Sequence, residues 1–210
     1  VARDIAKNFQ IKVGAFVERG AVNPEVHRLV LHGRHAWNQF NEEGFVQAEA
    51  AFAKALEIDP GCATASAGFA VVGCRRALLR GVASRHQEPA LAEAERHARQ
   101  ALQFDPSLAE PHAVLGTLAL IRGQLGEAER ESRQALRFNP NSDLALVYHA
   151  RLLQRQGRPD LAVPELEDAH RLSPLVDAYA GHRGMALLAC RRYAEAVAVV
   201  EYAEELDAGS

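Results

Sequence analysis

The sequence predicts an all-α fold, a right-handed solenoid of about five stacked helical hairpins. Three observations predict it. Pro106, Pro140 and Pro174 follow one another at intervals of 34 residues. Small residues keep fixed places around these prolines and around Pro60: an alanine 12 residues before (Ala48, Ala94, Ala128, Ala162), another five before (Ala55, Ala101, Ala135, Ala169), and Ala70, Gly116, Ala150 or Gly184 ten after. The composition agrees, since 48% of the chain is hydrophobic but only 6% aromatic, so Ala and Leu carry the apolar surface. Both are strong helix formers.

The spacing has a physical reading. Each unit is two antiparallel helices that approach closely where the first offers a small residue and the second an alanine; a larger side chain there would force them apart. The proline ends the second helix and begins the turn to the next unit. Gly123 and Gly157 fall between the two helices of their units, where a turn is needed. No unit can bury its apolar face alone, so the units must stack.

Taken in order, the units span about 24–60, 61–106, 107–140, 141–174 and 175–208. The first is longer than the others between Gly33 and Ala48, with the extra residues near "NQFNEEG"; Glu42 and Glu43 are expected there as solvated turn residues. The second carries 12 inserted residues around "GVASRHQEPA". The third and fourth are regular. The fifth reaches "ELDAGS" without its proline, so the array ends there or continues past Ser210. Residues 1–23 read either as the tail of a linker, with a helix near 1–9 and a short strand in "IKVGAF", or as a helical cap on the first unit. A chain that opens on Val1 rather than Met reads as a piece of a longer protein or a processed product.

With Leu115, Gly116, Ala128, Ala135 and Pro140 in one unit and Ala150, Ala162, Ala169 and Pro174 in the next, the chain resembles the tetratricopeptide repeat (TPR) family over residues 24–208. The opening units, "LHGRHAWNQFNEEGFVQAEAAFAKALEIDPGCATASAGFA", are similar to the repeats found behind bacterial class III nucleotide cyclases and some winged-helix transcriptional activators. The resemblance implies that the first helices line a concave groove that binds a protein or peptide. Carried over to this sequence, it points to Arg34, Trp37, Asn38, Arg75, Thr117, Ile121, Tyr148, Arg151, Gln154, Arg155 and His182. Chaperone-binding members hold a carboxylate with paired asparagines and lysines; here only Asn38 matches, and no lysine does. The arginines make this lining more basic than the chain, whose net charge is −3. Arg151 and Arg155 are four apart, share a helix face and fit one carboxylate between them. An acidic protein segment is the expected partner.

Other chemistry finds little footing. The charge balance lacks the basic face of a nucleic-acid binder, and no apolar run reaches a membrane span. Cys62, Cys74 and Cys190 form no CxxC pair, which fits a reduced cytoplasm. His27, His32 and His35 cluster without a cysteine or carboxylate in register, so no metal site is expected. "GFAVVGCR" lacks the Lys-Ser/Thr of a phosphate loop, and its glycines are better explained by helix packing. No catalytic residue, metal or cofactor is expected. The expected function is a protein–protein interaction module, the regulatory or sensory arm of a larger bacterial signalling protein. The alternative is a structural array that dimerises through an apolar stripe on the last helix, including Val197, Val200 and Leu206, and brings upstream domains together.

Overall fold

The computed structural model describes residues 23–79, 88–174 and 178–208, without the side chains of Ala178 and of 203–208. The expected linker or cap before Asn23 and the inserted segment at 81–87 lie outside the described residues. Among the described residues ten helices follow one another: α1 (Pro24–Trp37), α2 (Glu42–Ile58), α3 (Ala63–Leu79), α4 (Glu88–Phe104), α5 (Ala109–Ile121), α6 (Leu125–Phe138), α7 (Asp143–Arg155), α8 (Pro159–Leu172), α9 (Ala178–Ala189) and α10 (Tyr193–Ala208). No strand occurs among the described residues. The helices pair as five hairpins, α1 with α2 through α9 with α10. Each second helix packs on the first helix of the next hairpin, and successive first helices pack on one another.

The recurring residues take up the positions their spacing demands. Ala48, Ala128 and Ala162 on the second helices, and Ala70 and Ala150 on the first, are 0% exposed. At Gly116 a side chain would stand 2.9 Å from Ser132 Oγ and 3.3 Å from the Ala128 carbonyl, so α5 and α6 touch backbone to backbone there. The prolines act one residue earlier than the simplest reading. The residue before proline is biased away from helical backbone; Asp59 and Asn139 are accordingly extended, Ser173 has likewise left the helical region, and all three cap their helices. Their N–H groups donate to the carbonyls of Ala55, Ala135 and Ala169. The Asp or Asn then turns the chain with its own side chain, as such residues do: Asp59, Asp105 and Asn139 accept from the N–H of Gly61, Ser107 and Asn141 at 3.0, 3.0 and 3.1 Å.

The turns inside the hairpins need left-handed backbone. Gly123 (φ 76°) and Gly157 (φ 74°) supply it, and Arg191 (φ 60°) fills the same register place in the fifth hairpin. In the first hairpin Phe40 takes it up (φ 52°). This completes the turn early, so Glu42 and Glu43 open α2 instead of lying in a turn. Asn41 caps that helix, accepting from the Gly44 N–H at 2.8 Å. Acidic residues suit this end of a helix, and Glu42 also pairs with Arg76 at 2.9 Å. Gly68, in the phosphate-loop-like stretch, lies in α3 and packs against the Phe52 ring.

Candidate functional site

The first helices α1, α3, α5, α7 and α9 form the inner face. The predicted groove residues divide there into two groups. One group closes on itself. Trp37 and Tyr148 are 7% and 4% exposed, and Arg75 is 2% exposed. The Arg75 guanidinium donates to the Trp37 carbonyl at 3.0 Å, to Asn38 Oδ1 at 3.1 Å and to the Tyr179 hydroxyl at 3.4 Å. It also lies over the rings of Trp37 and Phe40, 5.5 and 5.4 Å from their centroids. Tyr179 passes the polarity on, donating at 3.0 Å to Asp143 Oδ2, which also accepts from Ser173. Arg34 reaches from α1 to Glu110 at the start of α5, 2.6 Å away. Beside Arg75, burial pushes the Cys74 thiol up to about 11 and raises the neighbouring Tyr148 phenol as well. Cys74 is therefore an inert, protonated thiol. In this half the chain's own side chains bridge all five hairpins, and Trp37, Arg75 and Tyr148 offer a partner almost no surface.

The other group stays open. Thr117, Leu120 and Ile121 from α5, Arg151, Gln154 and Arg155 from α7, and His182 and Met185 from α9 line a recess of about 450 Å³. These positions recur at about one helical turn on each first helix, so the stacking of three hairpins places them side by side. Thr117 is buried and its hydroxyl donates to the Ala113 carbonyl, which leaves it part of the floor. Arg151 is half-buried and Arg155 exposed. Neither has a side-chain hydrogen bond or ion pair among the described residues, whereas Arg34 and Arg75 are engaged.

His182 stands opposite these arginines. Burial pushes its imidazole down to about 4, and the charge of Arg151 adds to the effect. The sign for stability follows from linkage. The unfolded chain takes up the proton first, so folding is favoured fully above the ordinary histidine value and less as pH falls from there toward about 4. At pH 5 the loss attributable to this group is on the order of 2 kcal/mol. Urea titrations at pH 7.5 and 5 should show a steeper acid loss for the wild type than for His182→Gln. An identical loss in both proteins would assign the effect elsewhere, first to His97, whose imidazole burial also lowers.

Beyond the recess lies an apolar end face. Gly181, Gly184, Met185 and Leu188 of α9 and Ala196, Val197, Val200 and Glu201 of α10 line a hollow of about 480 Å³. Val197 and Val200 are 53% and 45% exposed; the side chain of Leu206 lies outside the described residues. Sequence reasoning did not single out Gly181. The signal was present, because 34 residues before Gly181 stands Val147, which is 1% exposed. A glycine in that register opens a hollow where other hairpins are filled. His27, His32 and His35 are exposed on α1, and no group of three or more metal-ligating side chains occurs among the described residues. Among them, too, no helix is long and apolar enough to cross a membrane.

No family model matches the chain. Among curated proteins, a putative adenylate cyclase 3 of Rhizobium meliloti (strain 1021) is 35% identical over 77 residues, a stretch covering 34% of this chain and 13% of that protein. The chain thus matches a small part of the relative's length, in keeping with the resemblance to cyclase-borne repeats. Solved structures of like fold include a thermophilic TPR protein of Thermus thermophilus, at 17% identity with a TM-score of 0.63, covering 86% of this chain and 90% of that one. The pilF protein of Pseudomonas aeruginosa matches at 21% identity with a TM-score of 0.54, over 87% and 76%. Human IFIT1, solved as a dimer with m7Gppp-AAAA, matches at 21% identity with a TM-score of 0.62, over 79% of this chain and 39% of that one. Recurrent alanines sealed between paired helices, aspartate- or asparagine-proline turns and these structural likenesses lead to one conclusion: the chain folds as a tetratricopeptide-repeat solenoid.

Proposed function

We propose that the array is a protein–protein interaction module, the regulatory or sensory arm of a larger bacterial signalling protein in the cytoplasm, and that it holds an acidic partner segment in the open half of its inner face. One observation carries the reading: Arg151 and Arg155 converge on the recess without a partner of their own among the described residues, while the other inner-face arginines, Arg34 and Arg75, are engaged by partners within the chain. A guanidinium pair one helical turn apart suits a carboxylate, and Gln154 adds a neutral donor and acceptor beside it. Leu120, Ile121 and Met185 supply apolar contact around the charges. The likeness of one stretch to part of a putative adenylate cyclase supports the regulatory context.

The test is fluorescence anisotropy with a labelled Glu-rich peptide and, as a comparison, an oligoadenylate of equal charge. Arg151→Ala with Arg155→Ala should weaken the peptide about 10- to 100-fold at low salt, the effect of losing charge-assisted hydrogen bonds. It should also flatten the salt dependence of binding. Absence of peptide binding, or binding untouched by the double substitution, would overturn the reading. Tighter binding of the oligoadenylate through the same arginines would move it to nucleic acid.

A further inference from the structure

We infer that the cationic recess and the apolar end face are two halves of one bipartite site for an amphipathic helix, which sets an acidic side chain between Arg151 and Arg155 and a bulky aliphatic one, on the same helix face, into the hollow of α9 and α10. This rests on the proposed binding of an acidic segment and adds the second anchor, the partner's conformation and its direction.

Met185 joins the halves. It lines both the recess and the hollow and is 62% exposed on the ridge between them. His182, three residues earlier on α9, faces the recess, and Gly181 and Gly184 floor the hollow. The two surfaces are thus adjacent stripes of one helix.

The hollow is shaped for a helix because it continues an interface the fold already uses. The positions 34 residues before Val197 and Val200 are Val163 and Leu166, sealed at 2% and 0% exposure. There the first helix of the next hairpin, α9, packs on α8. The end face repeats the same register with its seat open. The glycines deepen it: a side chain built at Gly181 meets nothing within 4 Å, and one at Gly184 meets only Val200 Cγ2 at 3.6 Å.

Charge fixes the direction. The recess side carries Arg151 and Arg155, and among the described residues the sole charged one lining the hollow is Glu201 on its far side. A partner carboxylate is drawn to the α7 side and repelled from the α10 side, so the aliphatic anchor points toward α10.

The test uses helical, side-chain-stapled peptides carrying one Glu and one Leu spaced three, four or seven residues apart, the spacings that share a helix face. Matched peptides carry Glu→Gln or Leu→Ala. The expected result is that one spacing binds best and that either change weakens it about tenfold or more. Gly181→Leu places a side chain in the hollow from a position where its Cβ meets nothing within 4 Å; it should abolish the preference for Leu over Ala and keep the preference for Glu over Gln. Arg151→Gln with Arg155→Gln should do the reverse. Peptides that need Glu but are indifferent to Leu would overturn the bipartite site and leave acidic-segment binding standing. Indifference to both would overturn both. Sedimentation velocity of the array alone supplies the remaining arm. A dimer abolished by Val200→Glu and by Gly181→Leu, and not displaced by the stapled peptides, would give the end face to a second copy of the chain and overturn the inference.

Discussion

Phe52→Ala should lower the stability of the array by about 3–5 kcal/mol, the range for deleting a fully buried aromatic side chain. The ring is 0% exposed and occupies a slot cut for it by two other helices. A methyl group added at Gly33 of α1 would stand 2.5 Å from a ring carbon, and one at Gly68 of α3 would stand 2.4 Å from another. The phenyl group therefore lies directly against both backbones. Trp37 and Phe69 flank it, with ring centroids 5.8 and 6.1 Å away. One side chain on α2 thus holds its own hairpin closed and fixes the next hairpin onto it. Removal leaves a cavity walled by backbone, which relaxes poorly. The complementary change, Gly68→Ala, should cost about 1–3 kcal/mol by overpacking the same slot. Urea unfolding measures both. A loss below about 1 kcal/mol for Phe52→Ala would mean that the helices close over the space and that the slot does not set their separation.

The second large effect is expected at Arg75. Its guanidinium is buried at 2% exposure without a carboxylate in direct contact among the described residues, and it ties Trp37 and Asn38 in the first hairpin to Tyr179 in the fifth. Arg75→Ala removes those hydrogen bonds and leaves the Trp37 carbonyl without that donor, a cost of about 3 kcal/mol. Arg75→Met keeps the aliphatic bulk against the Trp37 and Phe40 rings and should cost less, since an apolar replacement removes the buried charge together with its contacts. A cycle of Arg75→Met with Tyr179→Phe should show coupling of about 1 kcal/mol, because the two side chains share one hydrogen bond and lead to Asp143. Equal losses for the Ala and Met variants would assign the effect to polar contacts alone. Independent losses in the cycle would remove Tyr179 as the link between the two ends of the inner face.

These two positions also separate what the sequence determined from what tertiary structure decided. The repeat itself was legible in spacing: alanines that must be small because helices meet there, and a proline that biases the residue before it away from helical backbone where each second helix ends. Ala55, Ala135 and Ala169 sit at 0% exposure, each accepting from the capping N–H that ends its helix. These are local constraints, set within a turn or two of chain, and local spacing is enough to reveal them. The α1–α2 turn was less legible, because Phe40 adopts left-handed backbone that its side chain does not favour.

The lining of the inner face was legible as a set of positions. Which of them remain accessible was not. Arg75 and Arg151 occupy inner-face positions on two such helices and look alike in sequence. One is sealed by a residue 104 positions away, and the other opens onto a recess. That difference depends on how far each hairpin rotates on the one before it. The rotation is a sum of small packing terms over five hairpins. No short pattern encodes it, so only the folded chain decides which arginines answer to its own side chains and which are left for a partner.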